Sequence, residues 1–424
     1  MQRFSKVLFL ILFLSCFSNA FSQKYYDTQW KKIQENYEKG TYKSNLPVVL
    51  EIQKQAMKEN NALQLIRSLK AEFSIVNQTI DDEKNDSASK FFAKLQTTEK
   101  NLKGDDLLVY KVLLSGFMFD YYNQHSWKIN GRTNMNSQDV SQIETWSKLD
   151  FKNYLIQNFK ELDQQNQAMN KISLLKYKDI FSNTEDISYL STLQDWYSLK
   201  KVNFLSNNEL FTKNELAENR VLINAIFDEL VAKSTGNQKL YFMHHKLSEN
   251  CIFNSCKDKL VQLQNLMKSN IEGDYKVLIG EEIINELITG NKEKAALQLV
   301  NSLKNQYSKS PFIQNIKNKE TQIVNPLLSF KYEEQTQPNL PIHLVAEFKN
   351  VKEFSVNIYE VKDNLLPLMQ YARNPYNDAY SKVKKTLVRK EVFQLNDPQD
   401  YQVHKTSIEM KALPSGIYVG PGKL

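Results

Sequence analysis

The chain has 424 residues, a length for two or three domains of ordinary size. Hydrophobic residues make up 41% and charged residues 24%, a globular balance that excludes an intrinsically disordered chain. With 11 Gly and 10 Pro the chain excludes collagen-like, Gly-rich linker and Pro-rich stalk architectures, and a mean hydropathy of −0.52 excludes a membrane-embedded body.

Residues 1–22 read as a secretory signal. Arg3 and Lys6 form a basic start, residues 7–14 are apolar, and Ser18, Ala20 and Ser22 offer small-residue cleavage positions. The apolar run is shorter than the ~20 residues a spanning helix needs, so no transmembrane segment is expected after signal removal. The string ending at Cys16 departs from a lipoprotein box, because Phe13 stands where Leu is wanted; no lipid anchor is expected at Cys16. The chain is therefore expected to be exported, to the periplasm, cell surface or medium. Losing Arg3 and Lys6 lowers the formal charge from +7 to +5. The basic residues are interspersed with acids, without the basic stripe that nucleic-acid binding requires.

Proline placement divides the rest. Pro47 is the only proline before Pro311, leaving a 263-residue proline-free tract, and proline is what helix interiors exclude. Trp30, Ile33 and Tyr37 share one helical face, and Gly40 follows where a C-cap needs positive φ. A helix from Leu46 carries Pro47 in its first turn. Ala62, Leu65, Ile66, Leu69, Phe73 and Val76 again lie on one face. Asp105 or Asp106 is expected to cap an apolar helix over residues 107–122. The aromatic-rich segment from Tyr121 through Trp127 is expected to pack as a helix end and the loop after it. Two more helices are predicted over residues 281–288 and 292–307, joined by a turn at Gly290-Asn291. These helical hairpins are loosely tetratricopeptide-like, without a strict 34-residue period. An irregular α-solenoid is the preferred reading of residues 23–315, and a compact bundle the alternative.

After Pro326 the period changes. Ile342, Leu344, Ala346 and Phe348 alternate with their neighbours; so do Phe354, Val356 and Ile358, and later Thr406, Ile408 and Met410. Period-two runs separated by turn residues predict an antiparallel β-sandwich over residues 320–424. The closing Gly420-Pro421-Gly422 breaks the last strand, so the sandwich is expected to be incomplete.

Cys251 and Cys256 are the candidate disulfide pair of the exported chain, with a free buried pair as the alternative. His244, His245, Cys251 and Cys256 lack zinc-ligand spacing, and adjacent His side chains on a helix diverge by ~100°. His125 has no identifiable catalytic partner. The acidic pairs Asp81-Asp82, Asp105-Asp106 and Glu281-Glu282 read as solvated faces or helix starts. No hydrolase, zincin, phosphate-loop or dinucleotide motif occurs, so no catalytic residue, metal or cofactor is expected.

The order of signal, proline-poor helical array and β-domain resembles the N-terminal region of bacterial alpha-2-macroglobulin-like proteins of the Bacteroidetes type. Three stretches carry the likeness: Tyr121 to Thr133 followed by Thr145-Trp146; residues 191–205; and the β tail with Pro338, Pro341, Asp397-Pro398 and Leu413-Pro414. Ser191 and Ser126 stand where the family often has Pro and Arg. The resemblance implies a macroglobulin-like sandwich, endopeptidase inhibition by protease trapping, and proteases or envelope proteins as partners. It transfers no thioester chemistry, because the chain contains no Cys-Gly-Glu-Gln. The alternative reading is an α-solenoid scaffold that binds a peptide or glycan in the cell envelope.

Overall fold

The computed structural model describes residues 23–79, 87–134, 136, 139–181, 187–254, 256–333, 336–362 and 384–419. The expected signal sequence with Cys16, the Asp81-Asp82 pair and the closing Gly420-Pro421-Gly422 lie outside them. Among the described residues the chain is mostly helical, with antiparallel sheets near its C-terminal end, so the protein is α+β. Helix gives way to strand at Asn325-Pro326. The division into two compact units falls elsewhere, between Ser234 and Thr235.

The first unit contains α1 (residues 23–38), α2 (Asn45–Lys58), α3 (Ala62–Thr79), α4 (Ser87–Glu99), α5 (Gly104–Ile129), α6 (Lys148–Asp163), the short α7 (Asn166–Met169) and α8 (Lys178–Phe181), α9 (Leu193–Leu205) and α10 (Lys213–Lys233). Local chemistry sets the helix ends. Gly40 has φ +70°, and the Thr41 N–H returns to the Asn36 carbonyl at 2.9 Å. Among the described residues, reciprocal capping boxes start three helices: Ser147 with Asp150, Thr192 with Asp195, and Thr212 with Glu215. At α4 the cap comes from a distance, as Glu144 Oε1 accepts the Ala88 and Ser89 N–H groups at 3.1 and 3.2 Å.

The start of α5 corrects the sequence reading. Neither Asp105 nor Asp106 is the cap. Gly104 takes φ +55°, the helix begins there, and both acids fall in its first turn. The left-handed glycine starts the helix early and turns the carboxylates to other partners. Asp106 accepts the Tyr177 hydroxyl at 2.6 Å, and Asp105 lies 3.6 Å from the Lys176 ammonium.

Rings dominate the core of this unit. Phe73 stacks on Phe117 at 4.5 Å, Phe92 meets Tyr121 edge-on at 5.7 Å, and Phe159 stacks on Phe204 at 4.8 Å. The buried hydroxyls find acceptors. Tyr110 donates to the Leu95 carbonyl at 2.6 Å, and Tyr197 reaches Asp163 at 2.7 Å. A polar triad joins three helices: buried Gln53 donates to buried Glu72 at 2.6 Å, and the half-buried Lys94 meets the same carboxylate. One aromatic departs from expectation. Trp127 is 72% exposed, with the Lys128 ammonium over its ring, because its position on α5 faces away from the packed side.

The second unit opens with α11 (Gly236–Asn254), α12 (Lys259–Met267), α13 (Lys276–Thr289), α14 (Glu293–Gln306) and α15 (Ile313–Val324). α13 and α14 form a hairpin through Gly290 and Asn291, the latter at φ +53°. Gly280 lets them approach closely: a Cβ there would lie 2.6 Å from a Leu303 methyl.

Among the described residues six strands follow: β1 (Leu327–Tyr332), β2 (Ile342–Lys349), β3 (Glu353–Glu360), β4 (Thr386–Gln394), β5 (His404–Met410) and β6 (Tyr418–Val419). They form two antiparallel sheets, ordered β1-β2-β5 and β4-β3-β6. The alternation read from the sequence sets the faces. Leu344 and Phe348 on β2, Phe354, Val356 and Ile358 on β3, and Met410 on β5 join one core cluster drawn from both sheets. On edge strand β4 the same face carries Arg389 and Glu391, opposite Ile358 and Val356. These two side chains pair at 2.8 Å, and Arg389 also donates to the carbonyls of Lys411 and Ala412, beyond β5. An inward charge pair on an edge strand discourages further strand pairing. Here it also ties one sheet to the chain leaving the other.

Candidate functional site

The polar feature of most chemical interest in the first unit is a cleft of about 500 Å³ walled by α3, α5 and α9. Helical periodicity builds it. Lys70, Ser74 and Asn77 are one stripe of α3; Gly116, Asp120 and Asn123 are one stripe of α5; Trp196 and Lys200 are one turn apart on α9. The Lys70 ammonium donates to the Ile180 carbonyl. Burial pulls its pKa down to about 8, helped by Lys200 and Arg67 and opposed by Asp120. Asp120 reaches solvent, yet the helices around its carboxyl desolvate it and push its pKa up, against the pull of Lys200 and Lys70.

Neighbouring contacts leave this cleft rich in donors. Asn77 Oδ1 is engaged by His125 Nε2 at 3.2 Å, and Asn123 Oδ1 accepts from Asn207 at 3.0 Å. Each asparagine keeps its NH2 for other use. Trp196 is 2% exposed, and its indole N–H has no acceptor among the described residues. The Lys200 ammonium lies 5.2 Å from the centre of the Trp196 ring. His125 is buried against Tyr121 and serves this wall through Asn77.

The second unit holds the two residues singled out as a cysteine pair. Cys251 lies in the last turn of α11 and Cys256 precedes α12; a disulfide joins them with Cα atoms 4.6 Å apart. One to two turns back on α11, His244 and His245 serve different neighbours. His244 bridges the Tyr275 hydroxyl at 3.0 Å and the Glu282 carboxylate at 2.5 Å. Lys259, at the start of α12, pairs with Glu282 and Glu286, each at 2.8 Å. The His244 hydrogen bond, then Lys259, holds the Glu282 pKa down to about 2 despite burial. His245 packs on Tyr241 at 4.2 Å, and burial beside His244 lowers its pKa to about 4. This network ties α11, α12 and α13 together next to the disulfide. Tyr275 is 4% exposed, whereas His244 and Glu282 keep partial access to solvent.

Two other hollows lie elsewhere, one in each unit. A groove of about 720 Å³ lies along α5 and α6, with Leu108, Leu114 and Leu162 on its floor and Glu99, Asp105 and Glu161 at its rim. A second, of about 440 Å³, opens between the sheets among Ile342, Ile358, Met410, Leu413 and Tyr418.

The sequence reading missed Lys70, Asp120 and Lys200. Their signal was present, as polar positions recurring every three to four residues on helices otherwise read for their apolar faces. It missed Tyr275 and Lys259 because their partners lie on other helices. Among the described residues no group of three or more His, Cys, Asp or Glu side chains could hold a metal ion. No helix among them is long and apolar enough to cross a membrane. No family model matches the chain, and neither a curated protein nor a solved structure matches it.

Proposed function

We propose that the chain is a non-catalytic binding module of an exported protein. In this reading it is the helical N-terminal part and first macroglobulin-like sandwich of an alpha-2-macroglobulin-type endopeptidase inhibitor, placed in the periplasm or at the cell surface. One observation carries the reading: two three-stranded antiparallel sheets pack their apolar faces into a single core directly after a series of paired helices. That order of parts is what the resemblance implies. Partners are then active proteases or envelope proteins, engaged by surface contact. The full chain is expected to co-elute in size-exclusion chromatography with at least one active serine, cysteine or metalloprotease from a defined panel. It is not expected to co-elute with the active-site-blocked form. A panel with no co-elution, or equal binding of the blocked enzymes, removes the protease reading.

The groove along α5 and α6 favours a second reading, an α-solenoid scaffold of the envelope that holds a peptide or glycan. Its leucine floor and polar rim, where Glu99 pairs with Lys111 at 3.0 Å, suit an amphipathic segment.

A further inference from the structure

Lys70 has an unusual setting for a lysine. It is half-buried in the wall of the cleft of α3, α5 and α9, and its amine donates to one carbonyl, that of Ile180 on α8. Among the described residues no carboxylate forms an ion pair with it. Asp120, on the α5 wall, acts on it through its charge alone, while Lys200 on α9 and Arg67 one turn back on α3 oppose a positive charge at this place. Burial without a contacting counter-ion, beside other cations, is the setting that turns a lysine into a nucleophile. A lysine that only fastened α3 to α8 needs no open cleft in front of its amine.

The rest of the wall suits hydroxyl groups. Ser74, Asn77, Asn123 and Gln124 are neutral hydrogen-bonding side chains, and the two asparagines, with their oxygens engaged by His125 and Asn207, keep donors. Trp196 lines the same cleft, and its buried indole N–H has no acceptor among the described residues. We propose that Lys70 captures a small polyhydroxy aldehyde, the open-chain form of a short sugar, as a Schiff base. The Lys70 nitrogen adds its lone pair to the carbonyl carbon, and the carbonyl π pair moves to oxygen, which takes the proton lost by nitrogen. The resulting hydroxyl leaves as water with a proton from the Asp120 carboxyl, and the nitrogen lone pair closes the C=N bond. The sum is amine plus aldehyde to imine plus water, with nothing oxidised or reduced. The volume of about 500 Å³ lies in the range of small-ligand sites. This assignment is independent of the protease reading, because it concerns a cleft of the first unit and no protease contact.

The protonation states support the geometry. The titratable and charged groups around Lys70 are Arg67 on its own helix, Asp179 on α8 beside Arg67, Asp120 and His125 on α5, and Lys200 on α9. Desolvation, then Lys200, lets Lys70 lose its proton through about pH 8. Desolvation also raises the pKa of Asp120, which favours the protonated form that the dehydration step uses. Capture at Lys70 therefore rises with pH to about 8 and then levels off, whereas an exposed lysine goes on gaining free amine up to about 10.4.

The test is reductive trapping of the full chain with glyceraldehyde and cyanoborohydride, read at each lysine by peptide mass spectrometry, with propanal as the probe that lacks hydroxyls. At about pH 7.5 roughly a quarter of Lys70 is neutral, against roughly 0.1% of an exposed lysine. Lys70 is therefore expected to be labelled at least about tenfold faster than the median lysine, a margin that leaves room for its partial burial. Its labelling is expected to saturate with glyceraldehyde, to exceed that by propanal about threefold, as one hydrogen bond predicts, and to level off above about pH 8. Asp120→Asn, at an exposed position, is expected to slow it about threefold. The wild-type measurements decide the matter if that variant fails to give the wild-type circular dichroism spectrum. Labelling of Lys70 no faster than of exposed lysines, no saturation, equal labelling by propanal, a rate that climbs on to pH 10, or an unchanged rate in the folded Asp120 variant overturns the proposal.

Discussion

In residues 23–234 the largest fully buried side chains are rings: Trp146, Tyr26, Tyr110, Tyr121, Tyr122, Tyr177 and Tyr197, with Phe92, Phe151, Phe181, Phe204 and Phe227. Between the two sheets of the second unit the core is a short cluster of aliphatic residues and a few Phe, and one strand contributes an Arg-Glu pair to its inner face. The helical unit fills wide gaps between cylinders, which large rings do well, and satisfies the hydroxyl each tyrosine brings. Two facing sheets leave a thin, even layer, which branched aliphatics fill. The difference is practical as well. All four Trp residues, at 30, 127, 146 and 196, lie in the first unit, whereas the disulfide and every strand among the described residues lie in the second. Tryptophan fluorescence therefore reads one unit, and amide exchange in the strands reads the other.

The strongest way to break the comparison is to remove one ring from each core. Trp146 is fully buried, packs on Phe151 and Tyr154, and donates its indole N–H to the Asp139 carbonyl at 3.1 Å. Trp146→Ala is expected to cost about 3–5 kcal/mol, seen as a lowered urea midpoint in the fluorescence of the remaining tryptophans. Phe354 is 8% exposed and touches Phe330 and Phe393 near one end of its sheet. Phe354→Ala is expected to cost about 3 kcal/mol, read by exchange of β2 and β3 amides. An equal or larger loss at Phe354 would mean that the thin core is not the weaker of the two.

Arg389 sharpens the same contrast. Its side chain pairs with Glu391 and reaches past its own sheet to the carbonyls after β5. Arg389→Met is expected to cost about 2 kcal/mol, because it leaves the largely buried Glu391 carboxylate unpaired. Adding Glu391→Met is expected to restore most of that loss, since a hydrophobic pair replaces a desolvated ion pair. If the double variant is as unstable as the single one, Arg389 acts through its backbone contacts instead. Strand exchange rates separate the two outcomes.

These residues also show what the sequence disclosed. The alternation of Leu344, Ala346 and Phe348 against Phe354, Val356 and Ile358 was readable, because a strand's two faces follow from a period of two. So were the glycine end of α1 at Gly40 and the α13–α14 turn at Gly290-Asn291, where left-handed backbone has a local chemical signature. The start of α5 was misread, because Gly104 and the two acids compete for the same role and tertiary partners, Tyr177 and Lys176, decided it. The strand that carries Arg389 and Glu391 at spacing i, i+2 was not among those read from the sequence, because its alternation is of charged rather than apolar residues. Nor was the inward direction of that pair legible, because it depends on which sheet covers it. The cleft of Lys70, Asp120 and Lys200 joins residues 50 and 80 positions apart, and no local pattern links them.

The disulfide is expected to matter less than either core. Cys251 and Cys256 are five positions apart, and the chain-entropy cost removed by so short a loop is about 2 kcal/mol at most. Replacing both by Ser is expected to lower the stability of the second unit by no more than that, and to leave the tryptophan-detected midpoint of the first unit in place. A loss well above that bound would show that the bond also holds Lys259 in register with Glu282 and Glu286.

The smallest expected effect separates the units by pH. His245 has its pKa lowered to about 4 by burial, against about 6.5 in an unfolded chain. Between these values the unfolded state holds more protons, so stability rises with pH through this window and is lost as pH falls from about 6.5 toward 4. Glu282, held to about 2, adds a further loss below about 4.5. Both groups are in the second unit. Lys70, lowered to about 8, belongs to the first. Its unfolded form keeps its proton to about 10.4, so its contribution makes the first unit firmer as pH rises above 8. Near pH 10 the buried phenols such as Tyr197, whose pKa is raised by burial, begin to act in the opposite sense. Acid titration from pH 7 to 5 is therefore expected to speed exchange at α13 amides while the tryptophan midpoint holds steady. His245→Phe, which keeps a ring against Tyr241, is expected to flatten that dependence. A variant that retains the full slope would show that the acid sensitivity does not come from His245.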